Sequence, residues 1–224
     1  MPVSEAPPRY LERVLGLTAY AAGAVDIISF AKLGGIFASA MTGNLAFLGF
    51  YLSRFAFASA LGSAIALLGF VAGGSVGTLL GRGRDRDAAL ALLLGTEVLL
   101  LAGAVALWLP THHRNGSLSG DEIIALLSVS MGLQSIIGKR INLSNIPTVV
   151  FTSTLTNIVI ALTDMLASRS FKVPPDTRRQ TASFLLYFAG ALCAGFAVYF
   201  QAGILIFLPL AAVVLALVSQ LKGA

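Results

Sequence analysis

Few side chains in this sequence are equipped for chemistry, and most of those lie in apolar surroundings. Asp26 is the sole charged residue between Val14 and Ala31. An acid at mid-membrane costs about 2.5 to 3.5 kcal/mol on insertion scales, so it should face protein or a wet cavity and have a partner. Glu97, with Thr96 beside it, is the second such acid, inside the run from Ala88 to Leu109. A second group consists of hydroxyls and amides at interruptions of apolar runs. Thr42, Gly43 and Asn44 close the stretch from Leu33 to Asn44, Gln134 lies in the run from Ile123 to Gly138, and Thr152 and Thr154 flank Ser153. Neutral donors and acceptors of this kind suit the binding of a small polar or anionic solute better than catalysis. No histidine falls in an apolar run, and no Ser or Cys stands beside a base, so nucleophilic catalysis has no candidate. Asp26 and Asp164 are the only pairing that could serve as two carboxylates, but they sit in unlike contexts. His112 and His113 are adjacent in the polar connection from Pro110 to Glu122, with no third ligand at usable spacing, so neither a metal nor a cofactor is expected.

These residues must be held by membrane helices. The chain has 224 residues, 57% hydrophobic and 11% charged, with a mean hydropathy of +0.87. Soluble domains carry about a quarter charged residues. At about 20 residues per span the length allows six to eight spans. The residues from Met1 to Arg13 read as a short cytoplasmic tail, and 14–224 as one membrane domain. The net charge of +5 comes from Lys and Arg at the ends of apolar runs and not from one patch, which points to membrane orientation and away from nucleic acid. The single cysteine, Cys193, excludes an intramolecular disulfide and reads as a packing residue.

The stretch from Leu33 to Asn44 organises the rest. Gly34, Gly35 and Gly43 permit backbone conformations closed to other residues, and Thr42 and Asn44 are suited to cap a helix beginning near Leu45. A helix that starts inside the membrane points its positive dipole end at whatever lies there. Lipid cannot satisfy an interrupted backbone, so the break must face protein or water. The simpler alternative is a glycine-rich turn between two ordinary helices.

Ala22-Gly23-Ala24-Val25-Asp26, then Gly34-Gly35-Ile36-Phe37 and Met41-Thr42-Gly43-Asn44, resemble the opening of the YoaK family, bacterial membrane proteins classed as a domain of unknown function. The resemblance extends over nearly the whole chain and implies a polytopic protein of the bacterial inner membrane, with no activity attached. Members tend to carry a Thr-Gly pair in the second half also; here Ser153 stands in place of that glycine.

Internal similarity supports two halves. Gly23, Ile27 and Ile28 recur at one constant offset as Gly132, Ile136 and Ile137, and Met41-Thr42-Gly43-Asn44-Leu45 falls on Phe151-Thr152-Ser153-Thr154-Leu155 after one insertion. The expected fold is therefore all-α: a polytopic helical membrane protein of two helix-bundle repeats, about 14–109 and 122–221, each with one broken or re-entrant segment. Eight spans would leave nine Lys and Arg inside and six outside, whereas six spans with both interrupted segments re-entrant leave twelve inside and three outside. The positive-inside rule favours six, a cytoplasmic N-terminus and inverted repeats, the architecture of many transporters. The run from Phe57 to Leu80 adds Gly69, Gly73, Gly77 and Gly81 at a spacing of four, a smooth ridge for a neighbouring helix within the subunit or across a homo-oligomer.

The function expected from this reading is a small-solute transporter or channel whose site forms where the two half-helices converge near the midplane. Its expected binding residues are Asp26, Thr42, Gly43, Asn44, Gln134, Thr152 and Thr154. Asp26 or Glu97 would bind a coupling proton or cation, or balance Lys139 or Arg140. A structural or accessory membrane protein without transport is the alternative, and an intramembrane enzyme a weaker one.

Overall fold

The computed structural model describes residues 8–110, 118–141, 151–168 and 173–224. Among them are eight α-helices: α1 (Arg9–Lys32), α2 (Met41–Ser53), α3 (Phe57–Gly81), α4 (Arg86–Trp108), α5 (Leu118–Ile141), α6 (Phe151–Ala167), α7 (Pro175–Tyr199) and α8 (Phe207–Gly223). Five of these, α1, α3, α4, α5 and α7, are long and apolar enough to cross a membrane, while α6 and α8 are shorter apolar helices. The helices extend beyond the apolar runs at several ends. α1 begins at Arg9, five residues before the apolar run, and α7 begins at Pro175, whose fixed φ suits a first helical position. Asp85 caps α4 by accepting from the Ala88 amide at 3.1 Å.

Burial orders the bundle. Of the most apolar window of α1, 72% is buried, against 22% for α3 and α7, so α1 is core and the other two face outward with Leu68, Val71, Leu79, Phe188, Leu192 and Phe196 exposed. In lipid such faces need no cover. α1 packs chiefly on α7 and α8, α5 on α3 and α4, and α1 also meets α5 while α4 meets α8; α2 lies on α3 and α6 on α7.

The two closest helix pairs are built alike. A Cβ on Gly23 of α1 would strike the Tyr187 carbonyl of α7, and one on Gly190 of α7 would strike the Tyr20 carbonyl of α1. In the other pair, Gly132 of α5 faces the Phe70 carbonyl of α3, and Gly73 of α3 faces the Val129 carbonyl of α5. Each pair thus brings backbone onto backbone, which only a residue without Cβ permits. The ridge of Gly69, Gly73, Gly77 and Gly81 is buried against α5 of the same chain. That corrects the expectation of an oligomer through this face, because α5 already occupies it.

Several helix termini share one end of the bundle. The Tyr10 hydroxyl near the start of α1 donates to Asp87 Oδ1 at the start of α4 at 2.8 Å, and Gly223 at the end of α8 backs onto the Tyr10 ring. Glu12 Oε1 accepts from Arg179 Nε near the start of α7 at 2.8 Å, and the Arg140 guanidinium near the end of α5 lies over Gly81 at the end of α3. It follows from these contacts that α1 and α7 run in the same direction, as do α3 and α5.

Candidate functional site

Four buried polar side chains, Asp26, Ser29, Ser39 and Asn44, gather near the end of α1. The chain leaves α1 through Gly34 and Gly35, with φ of 96° and 77°, a left-handed turn that glycine adopts without penalty. It then runs without helix to Met41. This is the interruption expected from the sequence, and several of its backbone polar groups are met from within the protein.

Asp26 is 1% exposed. Its Oδ1 accepts from the Ser39 amide at 2.8 Å, and its Oδ2 accepts from the Ser39 hydroxyl at 2.5 Å and from the Tyr187 hydroxyl at 2.7 Å. One carboxylate thereby ties α1, the non-helical segment and α7 together. Asn44, fully buried, closes the same segment from its far side: its Oδ1 accepts from the Phe37 amide at 3.1 Å and its Nδ2 donates to the Phe37 carbonyl. The amide side chain substitutes for a strand partner, satisfying both backbone groups of one residue. Stacking of Phe37 on Phe30, with centroids 4.9 Å apart, covers this loop.

Asn44 is therefore not the cap of a helix starting at Leu45. α2 begins earlier, at Met41, with no side-chain cap, and Thr42 is exposed in its first turn. Gly43 lies beside the Phe37 ring, which a Cβ would meet at 3.4 Å. Gln134 is buried on α5, where its Nε2 donates to the Thr18 carbonyl of α1 at 3.0 Å, two turns of helix away from Asp26. Thr152 is exposed on α6. Thr154, on the same helix, is buried, and its hydroxyl has no partner among the described residues.

The seven expected residues thus divide. Asp26, Gly43 and Asn44 meet around the segment 33–40, and Gln134 joins the core between α1 and α5. Thr152 and Thr154 are elsewhere, since α6 packs on α7 and not on α2. Asp26 does not balance Lys139 or Arg140, because its partners are Ser39 and Tyr187. Nor do Asp26 and Asp164 form a pair: Asp164 lines a groove of about 360 Å³ with Asn157, Ser168 and Pro174. His112 and His113 lie outside the described residues, among which no group of three His, Cys, Asp or Glu is placed to hold a metal. Cys193 is exposed rather than packed.

Two residues of the network escape sequence reading. Ser39 stands inside the interrupted stretch, but nothing in its spacing marks it as the ligand of an acid in the preceding helix. Tyr187, in the second half of the chain, is one phenol in an apolar helix. A signal was present only in the rule that a buried acid must have partners.

Glu97 differs from Asp26. It is 0% exposed, it lies at the midpoint of α4, and neither carboxyl oxygen has a hydrogen-bond partner among the described residues. Ser63, Ser128 and Ser130 are also buried, with hydroxyls that have no partner among the described residues.

The comparisons with known proteins agree with a membrane protein and go no further toward an activity. The chain is 28% identical over 198 residues to the UPF0700 transmembrane protein YoaK of Bacillus subtilis (strain 168), covering 84% of each chain. No solved structure matches. A family model described as protein of unknown function (DUF1275) matches residues 14–219, and the chain accordingly belongs to the DUF1275 family of multi-pass membrane proteins.

Proposed function

We propose that this protein is a transporter or channel for a small polar or anionic solute, built from two inverted repeats with the segment 33–56 re-entrant. The observation that carries this reading is Glu97, an acid ~16 Å from either end of a membrane-length helix, enclosed by protein and without a structural partner among the described residues. A group of that kind adds cost and no hydrogen bond, so it is kept for a proton, a cation or a solute.

The inverted arrangement has its own support. α4 starts beside the start of α1, through Tyr10 and Asp87, and α3 reaches α4 through residues 82–85 alone. So α3 ends where α1 begins, and begins where α1 ends. On this reading the intervening segment leaves and rejoins that same end, dipping to the level of Asp26 before α2 carries it back. The glycine crossings carry the sequence offset into three dimensions: Gly23 and Gly132 have equivalent roles, and Tyr20 and Val129, separated by the same offset, supply equivalent carbonyls. The end holding Arg9, Arg13, Arg82, Arg84, Arg86, Lys139, Arg140, Arg178, Arg179 and Lys222 would be cytoplasmic, with Lys32 and Arg54 opposite. The Asp26, Ser39 and Tyr187 contacts then act as the latch that holds the re-entrant segment closed.

A test is osmotic swelling of liposomes containing the purified protein, with formate, nitrate, glycerol and urea as solutes. Swelling above that of protein-free liposomes, reduced in a folded Glu97→Gln variant, supports transport. A protein that passes none of the four, before and after a pH step, supports the second reading, that of a structural or accessory protein. That reading is favoured by one observation: both Asp26 oxygens are used within the chain.

A further inference from the structure

We propose that the groove between the N-terminal halves of α1 and α7 is a binding site for an anionic phospholipid of the adjoining leaflet. A cavity of about 530 Å³ opens there, lined by Arg9, Glu12, Arg13, Gly16, Leu17, Tyr20 and Leu186. Positions 9, 13, 16, 17 and 20 recur every three or four residues and so form one face of α1. Read inward from the helix end, that face is two guanidinium groups, then aliphatic and aromatic surface. At Gly16 a Cβ would lie 2.7 Å from Leu186 Cδ1, so α7 comes close to α1 there and Leu186 forms the opposite wall.

Charge identifies the occupant. The one acid at the groove among the described residues, Glu12, is already paired with Arg179 at 2.8 Å, and Arg179 also meets Asp176 at 3.2 Å. Arg9 and Arg13 have no ion pair among the described residues and are exposed. Two unneutralised guanidinium groups one helical turn apart suit a phosphate, which they can bind through parallel N–H donors. Length agrees with charge: from Arg9 to Tyr20 is ~16 Å along the helix, about the ~15 Å depth of one leaflet's hydrocarbon. A free phosphate would use the arginines and leave the apolar wall uncovered, whereas a phospholipid uses both.

The site can be tested by titrating the full-length protein, in a neutral detergent, with phosphatidylglycerol or phosphatidylcholine and counting retained lipids by native mass spectrometry. The wild type should retain phosphatidylglycerol in preference to phosphatidylcholine. Arg9→Gln with Arg13→Gln should weaken that retention roughly 30-fold, from about fivefold per basic residue near the headgroup. Arg82→Gln with Arg84→Gln, at the same end of the bundle but on the α3–α4 connection, should leave it unchanged. Leu186→Trp should fill the groove and lose the lipid with both arginines intact. Equal retention of the two lipids by the wild type overturns the proposal, as does an equal loss in the Arg82 and Arg84 variant, which would mean a diffuse basic end. Displacement of phosphatidylglycerol by millimolar inorganic phosphate would identify a free-anion site instead and overturn the lipid assignment.

Discussion

Removing the Asp26 carboxyl should unfasten the interrupted segment, and the size of the effect follows from its partners. In Asp26→Ala the Ser39 amide, the Ser39 hydroxyl and the Tyr187 hydroxyl lose the acceptor they now share. Each stays in a site that water reaches poorly, since Ser39 is 3% exposed. A buried donor left without a partner costs about 1 to 3 kcal/mol. Allowing the two hydroxyls to rotate toward other acceptors, the sum is about 3 to 6 kcal/mol. For a chain of this length each kcal/mol lowers Tm by roughly 2 to 4 °C, so a fall of roughly 6 to 24 °C is expected. Asp26→Asn is the informative contrast. Its carbonyl can still accept from the Ser39 amide, and its NH2 can donate to hydroxyls that reverse, so most connections survive and Tm should fall by a few degrees only. The assay is thermal unfolding in a mild detergent, with limited proteolysis between residues 33 and 40 to show that this segment is released first. An Asp26→Ala variant melting within two degrees of wild type and resisting protease equally would refute the reasoning, since the three hydrogen bonds would then hold nothing. If Asp26→Asn loses as much stability as Asp26→Ala, the charge itself is structural, and the latch has no separate role in the proposed transport.

Other perturbations should separate the roles of individual residues. Glu97→Leu should leave Tm unchanged or raise it, because an unpartnered buried carboxyl is exchanged for an apolar side chain, while any solute flux is lost; a large fall in Tm would reveal a partner for Glu97. Gly73→Ala should destabilise by about 2 kcal/mol or more, its Cβ meeting the Val129 carbonyl, whereas Gly95→Ala, with nothing within 4 Å, should be neutral or slightly stabilising through helix propensity; equal melting of the two variants would contradict the α3–α5 contact. Size-exclusion chromatography of Gly73→Leu should show no loss of an oligomer, since that face is internal. In a Cys193→Ala background, cysteines replacing Arg84 and Arg178 should react with an impermeant thiol reagent from one side of the membrane and a cysteine replacing Arg54 from the other. Labelling of all three from one side would remove the re-entrant segment from the proposal.

The sequence alone determined the solvent and most of the elements. Apolar runs long enough to span a bilayer declare themselves by composition, because lipid admits a helix only when nearly every side chain is apolar. The helix positions follow, with ends that shift by several residues where an amphipathic turn continues into the headgroup region, as at Arg9 and Pro175. The break after Lys32 was equally legible, since Gly34 and Gly35 weaken a helix and open the left-handed turn that other residues avoid. The spacing of Gly69, Gly73, Gly77 and Gly81 declared a close helix contact, but the pattern is the same for a partner inside the chain and one outside it. Only the packing of α5 into that groove decided the matter.

The tertiary structure also decided what the acids meet. Asp26 and Glu97 read alike in sequence, each one charge in an apolar run. They differ because Asp26 lies one and a half turns before the helix end, within reach of a segment that folds back, and α7 supplies Tyr187 from the far half of the chain. Glu97 sits at the middle of an unbroken helix, where no backbone turns toward it and no described side chain reaches it. Hydrogen bonds over such separations depend on how helices pack, and packing in lipid is set by backbone approach at Gly23, Gly73, Gly132 and Gly190 rather than by hydrophobicity, since lipid is as apolar as the helix faces.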